Sequence, residues 1–226
     1  FNGEFRVSQE FSPELWNPVT GEIRYLPDFK SKEGYISLPV ELEGNESAFI
    51  VIRKNDKLTE TKDNFPQKVT VCKINTPWRI TFEAGKRGPE TPVVWSQLKD
   101  WMNSENDSIK YFSGQAVYET TFTLEKLPQK NLYIDLGNVM VMAKVTLNGQ
   151  YVGGVWTFPY RLNVTGYLKE GENKLEITVV NNWQNRLIGD QRFPEDQRLT
   201  WTTINPWKAD SSLQSSGLLG PVEISL

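Results

Sequence analysis

Apolar and polar residues alternate with a period of two through most of the chain, in short runs closed by turn residues. That pattern predicts strands, since neighbouring side chains of an extended chain face opposite ways. Residues 35–42 alternate and stop at Glu43-Gly44-Asn45-Glu46, and residues 48–52 and 68–72 follow as fuller apolar runs. Pro39 lacks a backbone donor, which predicts an edge position for its strand. Along 116–124, Tyr118, Thr120, Phe122 and Leu124 share one face. Leu132, Ile134 and Leu136 form the next set, then Val141, Ala143, Val145 and Leu147, ending at Asn148-Gly149. Such a dipeptide favours the positive φ of a type I′ hairpin turn. Tyr151 and Val152 start the return strand. Leu175, Ile177 and Val179 make another, and Val222, Ile224 and Leu226 close the chain.

Strand spacing of this kind predicts an all-β chain built of two β-sandwich units, the second a jelly roll. The expected boundary lies near Asn75-Thr76-Pro77. Residues 1–75 would form a small sandwich, or the end of one begun upstream, and 76–226 a complete jelly roll with its own core. Leu98, Trp101 and Met102 have the i, i+3, i+4 spacing of a helical turn near 96–102. Residues 182–217 show no clean periodicity. Trp183, Trp201 and Trp207 in that stretch argue against disorder and for function.

Composition narrows the chemistry. With 25 basic and 28 acidic residues the formal net charge is -3, which supplies no footprint for nucleic acid and no polybasic membrane patch. No apolar stretch is long enough for a transmembrane helix. The histidine count is 0, which removes Ser-His-Asp and Cys-His nucleophiles and every histidine-containing metal site. Cys72 is the only cysteine, so no intrachain disulfide forms, and its apolar neighbours read it as a buried small hydrophobe. A chain opening at Phe1-Asn2-Gly3 reads as a mature form or a fragment, and a fragment fits better.

Two segments carry candidate sugar chemistry. Trp156, Phe158 and Tyr160 fall on one side if 156–160 is extended, as an aromatic shelf packed on the second sheet or open to ligand. Arg161 follows them. Asn181, Asn182, Trp183, Asn185, Arg186 and Asp190 follow a predicted strand. Amides and Arg bond hydroxyls directionally, and Trp offers a face to sugar C–H groups. The alternative is a loop that satisfies its own backbone, with Arg186 and Asp190 as an ion pair. Sugar-binding candidates are therefore Trp156, Tyr160, Arg161, Asn182, Trp183, Asn185, Arg186, Asp190 and Trp201. A glycosidase needs two carboxylates about 5–9.5 Å apart. Glu195 and Asp196 are adjacent, so in extended chain they point apart, and no catalytic residue is assigned. No loop carries a dense calcium ligand set, and metal is left open.

Residues 147–165, with the Asn148-Gly149 turn, Gly153-Gly154, Trp156, Phe158-Pro159-Tyr160 and Asn163-Val164-Thr165, resemble the sugar-binding sandwich domain of glycoside hydrolase family 2. The turn Gly171-Glu172-Asn173 belongs to the same pattern, Asn163 replaces its usual Asp, and 216–222 resembles the domain's closing strand. Nearly the whole chain, on Leu15-Trp16-Asn17-Pro18-Val19-Thr20-Gly21-Glu22, Glu46 to Phe49, and Asn185-Arg186-Leu187-Ile188-Gly189-Asp190, resembles the C-terminal part of family 106 α-L-rhamnosidase-like proteins.

The resemblance implies that the second unit is a galactose-binding-like jelly roll. It also implies that the chain is a piece of a larger bacterial glycoside hydrolase of the periplasm or cell exterior, with its catalytic carboxylates on a separate barrel. A barrel needs about 250 residues and repeated βα units, which this chain lacks. The expected partners are carbohydrate and that barrel, with no nucleic acid, no membrane and no cofactor. The expected role is non-catalytic: bracing the barrel and lending loops to its cleft. The alternative is an independent carbohydrate-binding module, and the glycan stays open.

Overall fold

The computed structural model describes residues 2–6, 12–53 and 63–226. The chain divides into two compact units between Lys68 and Val69. Nearly all regular structure is strand.

In the first unit β1 (Asn2–Arg6), β2 (Ser12–Trp16), β3 (Ile23–Tyr25), β4 (Lys30–Lys32), β5 (Tyr35–Pro39) and β6 (Phe49–Arg53) form two three-stranded sheets. Their orders are β1-β5-β4 and β3-β2-β6. Leu15, Leu26, Ile36, Leu38 and Val40 make its core. Pro39 does not mark an edge, because β5 is the middle strand. Its partner β4 pairs only with Tyr35 to Ser37, so the proline sits past the end of that ladder, where no donor is needed.

The second unit opens with β7 (Thr70–Lys73), β8 (Trp78–Phe82) and β9 (Val93–Trp95). A 3-10 turn at Trp101–Asn103 and α1 (Asp107–Lys110) precede the long β10 (Gln115–Leu124). Then come β11 (Tyr133–Asp135), β12 (Asn138–Met140), β13 (Met142–Leu147), β14 (Gln150–Val155), β15 (Arg161–Asn163) and β16 (Gly171–Val180). After α2 (Gln184–Asp190) and a 3-10 turn at Glu195–Gln197, β17 (Gly217–Gly220) and β18 (Glu223–Ser225) end the unit. A six-stranded sheet, β14-β13-β16-β10-β8-β9, and a four-stranded sheet, β15-β11-β18-β7, are joined by a β12-β17 pair. The division falls before β7 and not near residue 76, because β7 pairs with β18 and so belongs to the second unit. Half-buried Cys72 packs on that unit's core from β7.

The alternating faces fold as the sequence predicts. Tyr118, Thr120, Phe122 and Leu124 are buried from β10, and Leu175, Ile177 and Val179 from β16. Val141 is the exception in its set: it precedes β13 and lies exposed, while Ala143, Val145 and Leu147 are buried. Asn148 and Gly149 take φ of 53° and 80°, as the tight hairpin turn requires. Trp78 and Trp101 are buried, whereas Trp95 on the edge strand β9 is half-buried.

The expected helical turn over 96–102 falls later. Asp100 accepts a hydrogen bond from the Met102 amide at 3.0 Å, so the turn starts at Trp101. Trp101 itself is held in the core, its Nε1 donating to the Tyr118 hydroxyl at 2.7 Å. Its ring packs on Phe82 and Phe112 with centroids 5.4 and 5.5 Å away.

Candidate functional site

Strand register decides which loops meet. Val155, Ala143, Val179, Ala116 and Phe82 lie side by side across the six-stranded sheet. Strands β14 and β16 each pair antiparallel to β13, so they run the same way and leave the sheet at the same end. Trp156 and Asn181 therefore emerge on one rim, two strands or about 10 Å apart.

Behind the rim, buried polar groups fix the backbone. Asn181 donates to the Phe112 carbonyl at 2.8 Å and accepts from the Gly114 amide at 3.0 Å. Asn185, on α2, donates to the Gln214 carbonyl at 2.7 Å and accepts from the Gln214 amide at 2.8 Å. Asn182 is exposed and bonds Gln214 Oε1 at 2.7 Å. Helix α2 comes so close to Tyr111 that a Cβ on Gly189 would stand 2.7 Å from the Tyr111 side chain.

Arg186 and Asp190 form a buried pair one helical turn apart, Nε and Oδ1 3.0 Å from each other. The two atoms are not aligned for a hydrogen bond, so charge holds them. Burial pushes the Arg186 guanidinium below its ordinary range, and the Asp190 carboxylate opposes that shift. The second carboxylate oxygen accepts from the Leu199 amide at 3.1 Å, the Thr200 amide at 2.9 Å and the Thr200 hydroxyl at 2.6 Å. Asp190 thus fastens the next loop to the end of α2. Asn185, Arg186 and Asp190 are buried: Asn185 and one oxygen of Asp190 bond neighbouring backbone, and Arg186 faces the other Asp190 oxygen as an ion pair.

Apart from Asn182, the exposed members of the candidate set are aromatic. Relative exposure is 84% for Trp201, 69% for Trp183 and 57% for Trp156, and that of Ile204, three residues after Trp201, is 79%. Phe193, Leu199 and Met142 are further exposed apolar side chains. The expected shelf does not form, because the chain bends between β14 and β15 and alternation stops at Val155. Tyr160 turns to the core, half-buried, edge-on to Phe158 at 6.1 Å. Arg161 lies over the Tyr133 ring at 4.1 Å. No hydrogen bond, ion pair or ring contact among the described residues joins 156–161 to 181–201.

Sequence reasoning did not mark a half-open surface depression lined by Trp95, Lys99, Asp100, Asn103, Ser104, Glu105, Asn106 and Ile109. No periodicity marks it, because it forms where the edge strand β9 meets an irregular segment; its signal was the density of Asn, Ser and acid around Trp101. No cluster of three or more acidic or thiol side chains among the described residues is placed to hold a metal. No helix among them is long and apolar enough to cross a membrane.

Residues 95–212 match the family described as glycosyl hydrolase 2 galactose-binding domain-like. The chain is similar to the solved rhamnosidase of Novosphingobium sp. PP1Y, at 36% identity and a TM-score of 0.86. That match covers 98% of this chain and 21% of the rhamnosidase. A protein of Formosa agariphila named "Putative beta-glucuronidase" is 42% identical over 160 residues, 59% of this chain and 14% of that protein. A Ruminococcus gnavus β-glucuronidase shares the fold alone, with 15% identity and a TM-score of 0.50 over 70% of this chain and 29% of that one. The chain therefore spans less than a third of the length of each.

Proposed function

The chain belongs to the glycosyl hydrolase 2 galactose-binding domain-like family, and from that premise we propose that it is a non-catalytic sandwich region of a larger glycoside hydrolase. Its rim at 193–204, with Trp156 and Trp183, would face the catalytic domain and border the substrate cleft. The observation that carries this reading is a contrast. Leu199, Trp201 and Ile204 are exposed, yet Asp190 anchors the amides of Leu199 and Thr200 at the start of the same segment. Anchoring a loop costs conformational entropy, and its exposed apolar side chains gain nothing until something covers them. A catalytic domain in the same protein is the occupant that the small coverage of the rhamnosidase favours.

The carboxylates named above support a non-catalytic role. Asp190 is engaged by the fold, Asp100 accepts from Met102 and Ser216, and Glu195 is almost fully exposed. The test is Trp201→Ala with Ile204→Ala. In the isolated chain these exposed substitutions should change stability by no more than about 0.5 kcal/mol each. In the intact protein they should lower catalytic turnover and split one thermal transition into two. An intact protein unaffected in both respects would overturn the proposal.

A further inference from the structure

We infer that Arg87 and Arg186, gathered around Asp190 behind the rim, receive a carboxylate side chain from the catalytic domain that covers it. The inference rests on the rim docking proposed above and names the chemistry of the partner. Five buried side-chain polar atoms among the described residues lack a hydrogen-bond partner, and three of them meet here: Arg87 Nη1, Arg186 Nε and Asp190 Oδ1. Asp190 Oδ1 stands 3.0 Å from Arg186 Nε and 3.8 Å from Arg87 Nη1, so two guanidiniums converge on one oxygen.

The charges there do not balance. Asp190 is the one carboxylate paired with either arginine among the described residues. The next cation, Arg192, is matched by Asp107 at 2.5 Å. One positive charge is left over where the Arg186 side chain is only 5% exposed. Burial pushes the Arg186 guanidinium down, Asp190 opposes that, and the charge of Arg87 adds to it. Arginine keeps its proton in proteins, so the excess persists and favours an anion. Both side chains are held in place. Gly189 makes room for one, since a Cβ there would stand 2.7 Å from Arg186 Nη2. Arg87, between β8 and β9, takes a φ of 55°, lies over the Phe193 ring at 4.6 Å and donates to the Gln197 carbonyl. It is thus tied to the rim segment itself. Its side chain is 35% exposed, and among the described residues one of its N–H groups is bonded, which leaves donors for a carboxylate. A covering catalytic domain is the occupant because the chain matches only 21% of the similar rhamnosidase.

The probe is sodium acetate, compared with sodium chloride at equal ionic strength. A ligand that binds only the folded state raises its melting temperature by mass action. In the 226-residue chain, acetate should raise the melting temperature of the second unit above chloride and saturate with a Kd on the order of 10 mM. Arg87→Gln should weaken that response about tenfold, as expected for one lost hydrogen bond between charged groups. Arg87→Lys, which keeps the charge but not the fork, should retain part of it. In the intact larger protein acetate should add nothing beyond chloride, because the covering domain's own carboxylate is in place. Arg87→Glu should there split the thermal transition, as Trp201→Ala with Ile204→Ala does. Equal responses to acetate and chloride, or a response that survives Arg87→Gln undiminished, would overturn the site. An acetate response as large in the intact protein as in the chain would overturn the occupant, since a site for free oxyanions gives that result. If Trp201→Ala with Ile204→Ala splits the transition and Arg87→Glu does not, the docking stands and this inference falls.

Discussion

Replacing Asp190 with alanine should free the rim loop while leaving the sandwich intact. The carboxylate is buried, ion-paired to Arg186 at 3.0 Å, and accepts three hydrogen bonds from Leu199 and Thr200. Removing one partner of a buried ion pair costs about 3–5 kcal/mol, because the other charge stays behind in a poor solvent. The three hydrogen bonds to a charged acceptor, at roughly 1.5–3 kcal/mol each, belong to that same loss and are not added to it. If the loop opens locally, the Leu199 and Thr200 amides should exchange faster by roughly a hundredfold to a few thousandfold, at about 1.4 kcal/mol per factor of ten. Amides of β10 and β16 should keep their protection. Asp190→Asn is the stringent variant, since one oxygen still accepts while the charge facing Arg186 is gone. Native hydrogen exchange read by NMR makes the measurement. Leu199 and Thr200 amides as slow in Asp190→Ala as in the parent chain would refute the latch.

Tyr118→Phe should destabilise the second unit by about 2–4 kcal/mol in denaturant unfolding, since the hydroxyl accepts from the buried Trp101 indole at 2.7 Å and the Leu218 amide at 3.2 Å. A change under about 0.5 kcal/mol would contradict that accounting. Gly217→Ala should be at least as damaging as a helix-interior glycine error, because φ is +96° and the new Cβ would stand 2.5 Å from Trp101 Nε1; an unchanged melting temperature would show that Trp101 can move aside. The isolated chain should not turn over aryl rhamnosides or galactosides, and activity that disappears on Glu195→Gln would reverse the non-catalytic reading.

The jelly roll was legible because its strands bury one face only. Alternation at 116–124 and 175–179, and the Asn148-Gly149 turn, report burial directly. The rim was legible only in part. Its tryptophans stand out in any sequence, but exposure of Trp183 and burial of Trp101 look alike until the chain is folded. The polar anchors were legible only as one of two alternatives. Asn185, Arg186 and Asp190 read either as ligand contacts or as a loop bonding itself with Arg186 and Asp190 as an ion pair, and each is used to bond backbone or a neighbouring charge. Helix α2 was missed because its buried face includes Asn185, Arg186 and Asp190, which erases the apolar period, and because Trp183 at its start makes no capping hydrogen bond. Pro39 misled because its missing donor matters only where a neighbouring strand would have accepted it.

The most direct test of the central claim compares hydrogen exchange across 193–204 in the isolated chain and in the intact larger protein. The docking account predicts that deuterium uptake there, and the solvent accessibility of the Trp201 indole, fall sharply in the intact protein while β10 and β16 are unchanged. Equal uptake and equal Trp201 accessibility in both would contradict it.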